Sequence, residues 1–229
     1  MRTVSIAIDG PAASGKSTIG ALVAERLGYL YIDTGAMYRA VTWAALEQGV
    51  AIADEQAVTA LAERLRIDIV SEGPDDGRQY TVLADGVDIT WAIRQPAVND
   101  NVSPVSAYRG VRAALVPQQR RIAERGGAVL VGRDIGTVVL PDAQVKIYLD
   151  AALPERARRR WAEATARGLQ LSLDEVTAEL ANRDRIDSTR VDSPLSVAAD
   201  ARVIDSTNLS IEEVVAAVLA IVSQRDCCR

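Results

Sequence analysis

"IDGPAASGKST", residues 8–18, places two glycines, a lysine and a hydroxyl pair in the spacing G-x-x-x-x-G-K-[ST]. The match runs through Gly10, Pro11, Ala12, Ala13, Ser14, Gly15, Lys16 and Ser17, with Thr18 following. It comes directly after the apolar run "VSIAID" (4–9) and directly before a helical pattern, which is the context the motif needs. Glycines let the backbone turn tightly enough for successive N–H groups to converge on phosphate oxygens. The helix starting near Lys16 adds its positive dipole end. Lys16 then reaches the outer phosphates of a nucleoside triphosphate such as ATP, and the Ser17 hydroxyl is placed to ligate Mg²⁺.

Outward from this loop, short apolar runs alternate with amphipathic stretches, the pattern of a mainly parallel sheet covered on both faces. The runs are 4–9, 29–33, 128–131, 145–150 and 201–205, and the helices are read at about 16–27, 35–49, 106–125, 154–167 and 210–223. Two segments interrupt the alternation. Residues 66–92 show period-two alternation with "DDG" and "ADG" turn signals, predicting a small antiparallel insertion. Residues 168–195 read as a helix that runs into a charged stretch and stops at Pro194. The expectation is an α/β fold, one domain over 1–229 with two grafted lobes.

Composition narrows the chemistry. The net charge of −5 and the lack of a basic face argue against nucleic acid as a partner. No apolar run approaches the length that spans a bilayer, and no basic-then-apolar leader opens the chain, so no membrane partner is expected. Cys227 and Cys228 are the only cysteines and offer neither a disulfide framework nor metal-ligand spacing, which favours a reducing cytoplasm. Histidine is absent, excluding every mechanism built on an imidazole base or a His-ligated metal.

A phosphate cradle does not name the reaction. A guanine reader N-K-x-D is missing, and "VKIYLD" ends in Asp150 followed by alanine rather than a second carboxylate, so neither a GTPase switch nor a mechanical ATPase is favoured. "DTGAMYRA" (33–40) follows the second strand, and "GRDIGTVV" (132–139) follows the third. In a parallel sheet both fall at the carboxyl edge, where ligands bind. Asp33 and Thr34 also suit the cap of the next helix. The composite reading is a small kinase.

Together, "IDGPAASGKST", "DTGAMYRA", "GRDIGTVVLPDAQVKIYLDA" and "RDRIDSTRVDSPL" closely resemble the bacterial cytidylate kinase family, in that family's order and over nearly the whole chain. The resemblance implies a parallel five-stranded core of order 2-3-1-4-5, spanning about 1–40, 105–165 and 196–229. It also implies a monophosphate-binding lobe at about 41–104 with a small antiparallel sheet, a helical lid at about 166–195, and a monomer. The reaction implied is phosphoryl transfer from ATP to CMP or dCMP, with Mg²⁺. Thr34, Ser103, Arg112 and Asp134 are then expected around the pyrimidine, with Asp134 accepting from the exocyclic amine of cytosine. Arg39, Arg133 and Arg190 are expected on the monophosphate, Asp187 on the sugar hydroxyls, and Lys16, Arg183 and Arg190 on the transferring group. Arg156 or Arg160 of "PERARRRW" is expected against ATP, and Asp33 is expected to join the metal shell through water. Arg183, Arg185 and Arg190 sit on a polar stretch with few apolar anchors, as a mobile cover requires. Another small P-loop kinase (for uridylate, adenylate or shikimate) and a slow ATP-hydrolysing binding module are the competing readings.

Overall fold

The computed structural model describes residues 4–166 and 168–226, so Cys227 and Cys228 lie outside the described residues. Five parallel strands form the central sheet: β1 (Ser5–Asp9), β2 (Leu30–Asp33), β6 (Ala128–Gly132), β7 (Val145–Asp150) and β8 (Arg202–Asp205). Their order is β2-β6-β1-β7-β8. Counting core strands alone, this is 2-3-1-4-5, as expected. Ile6, Ala7 and Ile8 are fully buried, so both faces of the sheet are covered and the strand reads as a continuous apolar run.

Register decides where the strands end. Asp9 pairs with Gly132 of β6 and Tyr148 of β7, and Asp33 pairs with Val131. The loops after β1, β2 and β6 therefore open at one edge. Helix α1 (Lys16–Leu27) follows β1, and α2 (Thr34–Glu47) follows β2. The two crossovers run in opposite directions along the sheet, which puts their helices on opposite faces. Helix α8 (Ile211–Asp226) packs on α1 and β7.

The insertion contains β3 (Ile67–Val70), β4 (Thr81–Ala84) and β5 (Val87–Asp88), antiparallel in that order. Asp85 and Gly86 both have positive φ and link the paired residues Ala84 and Val87, a two-residue hairpin of the kind "ADG" announces. Two helices went unread. Helix α3 (Glu55–Arg64) is capped by Asp54, whose side chain accepts from the Ala57 N–H at 3.0 Å. Helix α4 (Pro96–Ala107) contains Pro104, whose missing N–H weakens a helical reading. The expected helix at 106–125 is really α5 (Arg109–Ala123), since Tyr108 adopts an extended backbone and breaks the run from α4.

Helices α6 (Leu153–Ala166) and α7 (Leu173–Thr189) pack together beside the loop at 10–15. A capping box starts α7, with the Ser172 hydroxyl and the Glu175 carboxylate each satisfying the other's backbone N–H. The stretch 183–190 has one aliphatic residue, Ile186, as expected. The anchors lie one to two turns earlier: Val176 and Leu180 are buried against Ala12 and Ala157 in a small apolar cluster separate from the main core. No helix among the described residues is long and apolar enough to cross a membrane.

Candidate active site

The open strand edge forms one side of a cleft of about 810 Å³. Its floor is the loop between β1 and α1. Gly10 has φ +150°, and a Cβ there would lie 2.0 Å from the Leu149 carbonyl oxygen, so no side chain fits. Gly15, at φ +94°, opens α1 without any side-chain cap, which leaves the first-turn N–H groups free to face an anion. Ala13 holds a left-handed backbone, φ 59°, a conformation that costs a non-glycine residue about 1–2 kcal/mol.

Ala12, Ala13, Ser14, Gly15, Lys16, Ser17 and Thr18 line the cleft, whereas Gly10 and Pro11 lie beneath it. Lys16 is buried, and its ammonium donates to the Pro11 carbonyl at 2.5 Å and to the Ser14 hydroxyl at 3.3 Å. Burial, then the nearby Arg133 charge, lowers its pKa well below the ordinary lysine value. A polyphosphate at this loop relieves both penalties by supplying the opposite charge.

The same cleft is lined by every residue expected around an acceptor: Thr34, Arg39, Ser103, Arg112, Arg133, Asp134, Asp187 and Arg190, together with Arg183. Asp33 caps α2 by accepting from the Gly35 N–H at 2.9 Å, as its position suggested, and also lines the cleft. The Thr34 hydroxyl donates to the Val131 carbonyl at 2.9 Å. Arg112 and Asp134 form a buried pair, with the other Arg112 amine donating to the Ser106 carbonyl at 3.1 Å. The guanidinium of Arg112 also sits over the Tyr38 ring, 5.3 Å from its centroid. Arg133 donates to Asp187 at 2.7 Å. Arg190 lies 3.8 Å from both Asp134 and Asp187 and donates to the Ser193 carbonyl at 2.7 Å. Arg39 donates to Asn99.

Among the described residues, nine cationic side chains line the cleft against five carboxylates, a surplus of four in a chain whose net charge is −5. Burial, and for Arg183 the neighbouring Arg133, lowers the pKa of Arg39, Arg183 and Arg190 from the ordinary arginine value. Like charges held this close out of water are stabilised by a polyanion.

The arginine-rich helix divides its labour. Arg158, Arg159 and Arg160 line the cleft, and Arg156 does not. Arg158 and Arg159 share Glu155, and Arg159 also reaches the Ser206 carbonyl at 2.6 Å. Arg160 pairs with Glu163 at 3.1 Å on the exposed rim. Of the two candidates for an ATP contact, only Arg160 faces the cleft.

Sequence reading missed Asp9. Its two carboxylate oxygens accept the backbone N–H groups of Ile135 and Gly136, each at 2.7 Å, and so hold the turn (Ile135–Val139) that follows Arg133 and Asp134. Burial is the main cause that pushes its pKa up to about 6, against the lowering effect of those hydrogen bonds. The available signal was a carboxylate ending an otherwise apolar strand at the ligand edge.

No cluster of three metal-ligating side chains forms among the described residues. Ser17 and Asp33 both line the cleft and supply oxygen donors, a set that suits Mg²⁺, which keeps several waters and takes phosphate oxygens.

Residues 6–224 match the family described as cytidylate kinase. The chain is 50% identical to the cytidylate kinase of Lactiplantibacillus plantarum over 224 residues, covering 98% of this chain and 96% of that one. It is 52% identical to the cytidylate kinase of Chloroflexus aggregans, covering 94% and 92%. A solved structure of an uncharacterised protein from Eubacterium ventriosum superposes with a TM-score of 0.55 at 10% identity, covering 96% and 99%, which speaks to the fold alone.

Proposed function

The chain belongs to the cytidylate kinase family, and from that premise we propose that it transfers the terminal phosphoryl group of ATP to CMP or dCMP, giving ADP and CDP or dCDP. The observation that carries this reading is one cleft lined by both the phosphate loop and a buried Arg112–Asp134 pair, with nine cationic side chains against five carboxylates.

Asp134 reads cytosine by accepting from its exocyclic amine, while uracil presents a carbonyl there and leaves acceptor facing acceptor. Thr34, Ser103 and Arg112 complete the pyrimidine pocket. Arg39, Arg133 and Arg190 hold the monophosphate, and Asp187 takes the sugar hydroxyls. Lys16 and Arg183 neutralise the group in transit. The attacking atom is already an anionic phosphate oxygen, so the reaction needs no general base, in keeping with a chain without histidine. What it needs is in-line placement of two polyanions, which the cations provide. Mg²⁺, held by Ser17 and through water by Asp33, supplies further charge neutralisation on the phosphates.

In this reading 41–104 is the monophosphate-binding lobe and 166–195 a lid that excludes water. Arg160, which lines the cleft, is the member of its cluster assigned to ATP. The family resemblance favours a monomer, and nucleoside triphosphates as substrates favour the cytoplasm.

The test is ADP release from ATP and Mg²⁺ with CMP, dCMP, UMP, AMP, shikimate or no acceptor. Strong stimulation by CMP and dCMP alone is expected. Equal slow turnover in every tube overturns the acceptor assignment and leaves an ATP-hydrolysing binding module.

A further inference from the structure

Arg156 is the one arginine of its cluster that faces away from the cleft, and it is 6% exposed. Its guanidinium donates on three sides: to the Ala151 carbonyl at 2.8 Å, to the Ala12 carbonyl at 3.0 Å, and to the Asp184 carboxylate at 2.7 Å. The first bond roots it in the start of its own helix. The second grips the apex of the phosphate loop, at the peptide directly before the left-handed Ala13. The third reaches helix α7.

Helix α7 carries two adjacent stripes. Val176, Leu180 and Asp184 recur every four residues and form one face, seated on Ala12, Ala157 and Arg156. Arg183 and Asp187, four apart, form the next face, turned into the cleft, and the C-cap residue Arg190 continues that lining beyond the helix end. Neighbouring positions on a helix differ by about 100° of rotation. The seating of the first stripe therefore sets the aim of the second. Apolar contact at Val176 and Leu180 is non-directional and tolerates rolling of the helix. A hydrogen-bonded ion pair to a guanidinium already locked by two carbonyls does not. Pairs of this kind contribute little net stability against an apolar replacement, so orientation is the property they add.

Resting on the kinase reading above, we infer that Asp184 and Arg156 are positioning residues: they set the roll of α7 so that Arg183 points at the transferring group, and they tie that seat to the apex of the phosphate loop.

The test is a double-mutant cycle on Asp184→Ala and Arg183→Ala, read as kcat for CMP-stimulated ADP release. Asp184→Ala is expected to lower kcat by roughly 10–100-fold, the scale set by small misplacements of a catalytic group, with KM for CMP changed only a few-fold. In the Arg183→Ala background the same change is expected to lower kcat by less than about 3-fold, because the two act as one unit. Asp184→Asn, which keeps the acceptor and the shape, is expected to recover most of the rate, and Arg156→Lys, which lacks the fork, to behave like Asp184→Ala. Independent multiplication of the two effects, or an unchanged kcat in Asp184→Ala, overturns the inference.

Amide hydrogen exchange of unliganded protein supplies an arm that needs no acceptor. Protection of residues 173–189 is expected to fall in Asp184→Ala while β1 and β6 keep theirs, and unchanged protection of α7 overturns the tether. An unmodified protein that ignores CMP refutes the acceptor assignment, while the exchange result still decides the tether.

Discussion

The Asp9 carboxylate accepts the Gly136 backbone N–H at 2.7 Å, binding the residue before the phosphate loop to the turn after Arg133 and Asp134. Its second oxygen does the same for Ile135. One carboxylate therefore holds the strand end before the phosphate loop and the turn after Arg133 and Asp134 in a fixed relation.

Burial pushes the pKa of Asp9 up from 3.8 to about 6, so in this window the folded chain keeps a proton that the unfolded chain has lost. Stability attributable to Asp9 thus rises as pH falls through 6 toward 4, by roughly 3 kcal/mol at about 1.4 kcal/mol per pH unit. Function runs the other way, because a protonated carboxyl accepts poorly from one of the two N–H groups. KM for CMP is expected to rise below about pH 6 without loss of the folded signal by circular dichroism. Asp9→Asn, compared over pH 5–8, cancels the titration of the CMP phosphate, which also lies near 6. A difference curve with no inflection near pH 6 removes Asp9 from this role.

Asp134→Asn is expected to cut kcat/KM for CMP by roughly 10²-fold and to narrow the preference over UMP, as when a buried polar reader loses its match. Asp134→Ala adds a separate penalty. It strands the buried Arg112 cation, whose Nε already lacks a partner among the described residues. That costs about 3–5 kcal/mol, a fall in Tm on the order of 10 °C for a chain of this size. Full CMP discrimination in the Asn variant shows that another group reads the base.

Arg183 and Arg190 are expected to separate kinetically. Arg183 has no carboxylate partner within ion-pair distance among the described residues, and Arg190 stands 3.8 Å from both Asp134 and Asp187. Arg183→Ala should lower kcat by about 10³-fold with KM for CMP nearly unchanged, as for an arginine acting on transition-state charge. Arg190→Ala should lower kcat and raise KM for CMP together. Steady-state kinetics over a CMP range distinguishes the two, and a wild-type kcat in either variant returns that residue to the surface-charge class.

Chelation of divalent ions is expected to stop CMP-dependent ADP release, and added Mg²⁺ to restore it. Ser17→Ala should shift the Mg²⁺ concentration for half-maximal rate upward by about 10-fold or more, the usual scale for changes around a bound ion. An unchanged Mg²⁺ titration places the ion elsewhere.

What could be read from the chain follows the range of the interactions. The phosphate loop is a local object, with strand, turn and helix contiguous from Ser5 to Leu27, and its placement followed from the motif and its context. The edge clusters at 33–40 and 132–139 were legible because a parallel sheet puts every strand end on the ligand side. Arg183 and Asp187 lie four apart on α7 and Arg190 is its C-cap, but their expected roles came from the family resemblance and not from their spacing. The α4–α5 boundary was hidden by Tyr108, whose extended backbone no composition signal marks. Asp9 and Arg156 were out of reach for a different reason. Their partners lie 126 and 144 residues away, so a local signal, such as the strand-end position of Asp9, marks the residue without naming what it holds.

The small apolar cluster of Ala12, Ala157, Val176 and Leu180 touches the phosphate loop and α6, apart from the main core. Substitutions in it change how firmly one helix is seated while leaving the central sheet untouched. Ala157 and Val176, the two members that do not line the cleft, therefore offer a way to tune turnover at the bench through aliphatic side chains alone, without altering the cleft lining.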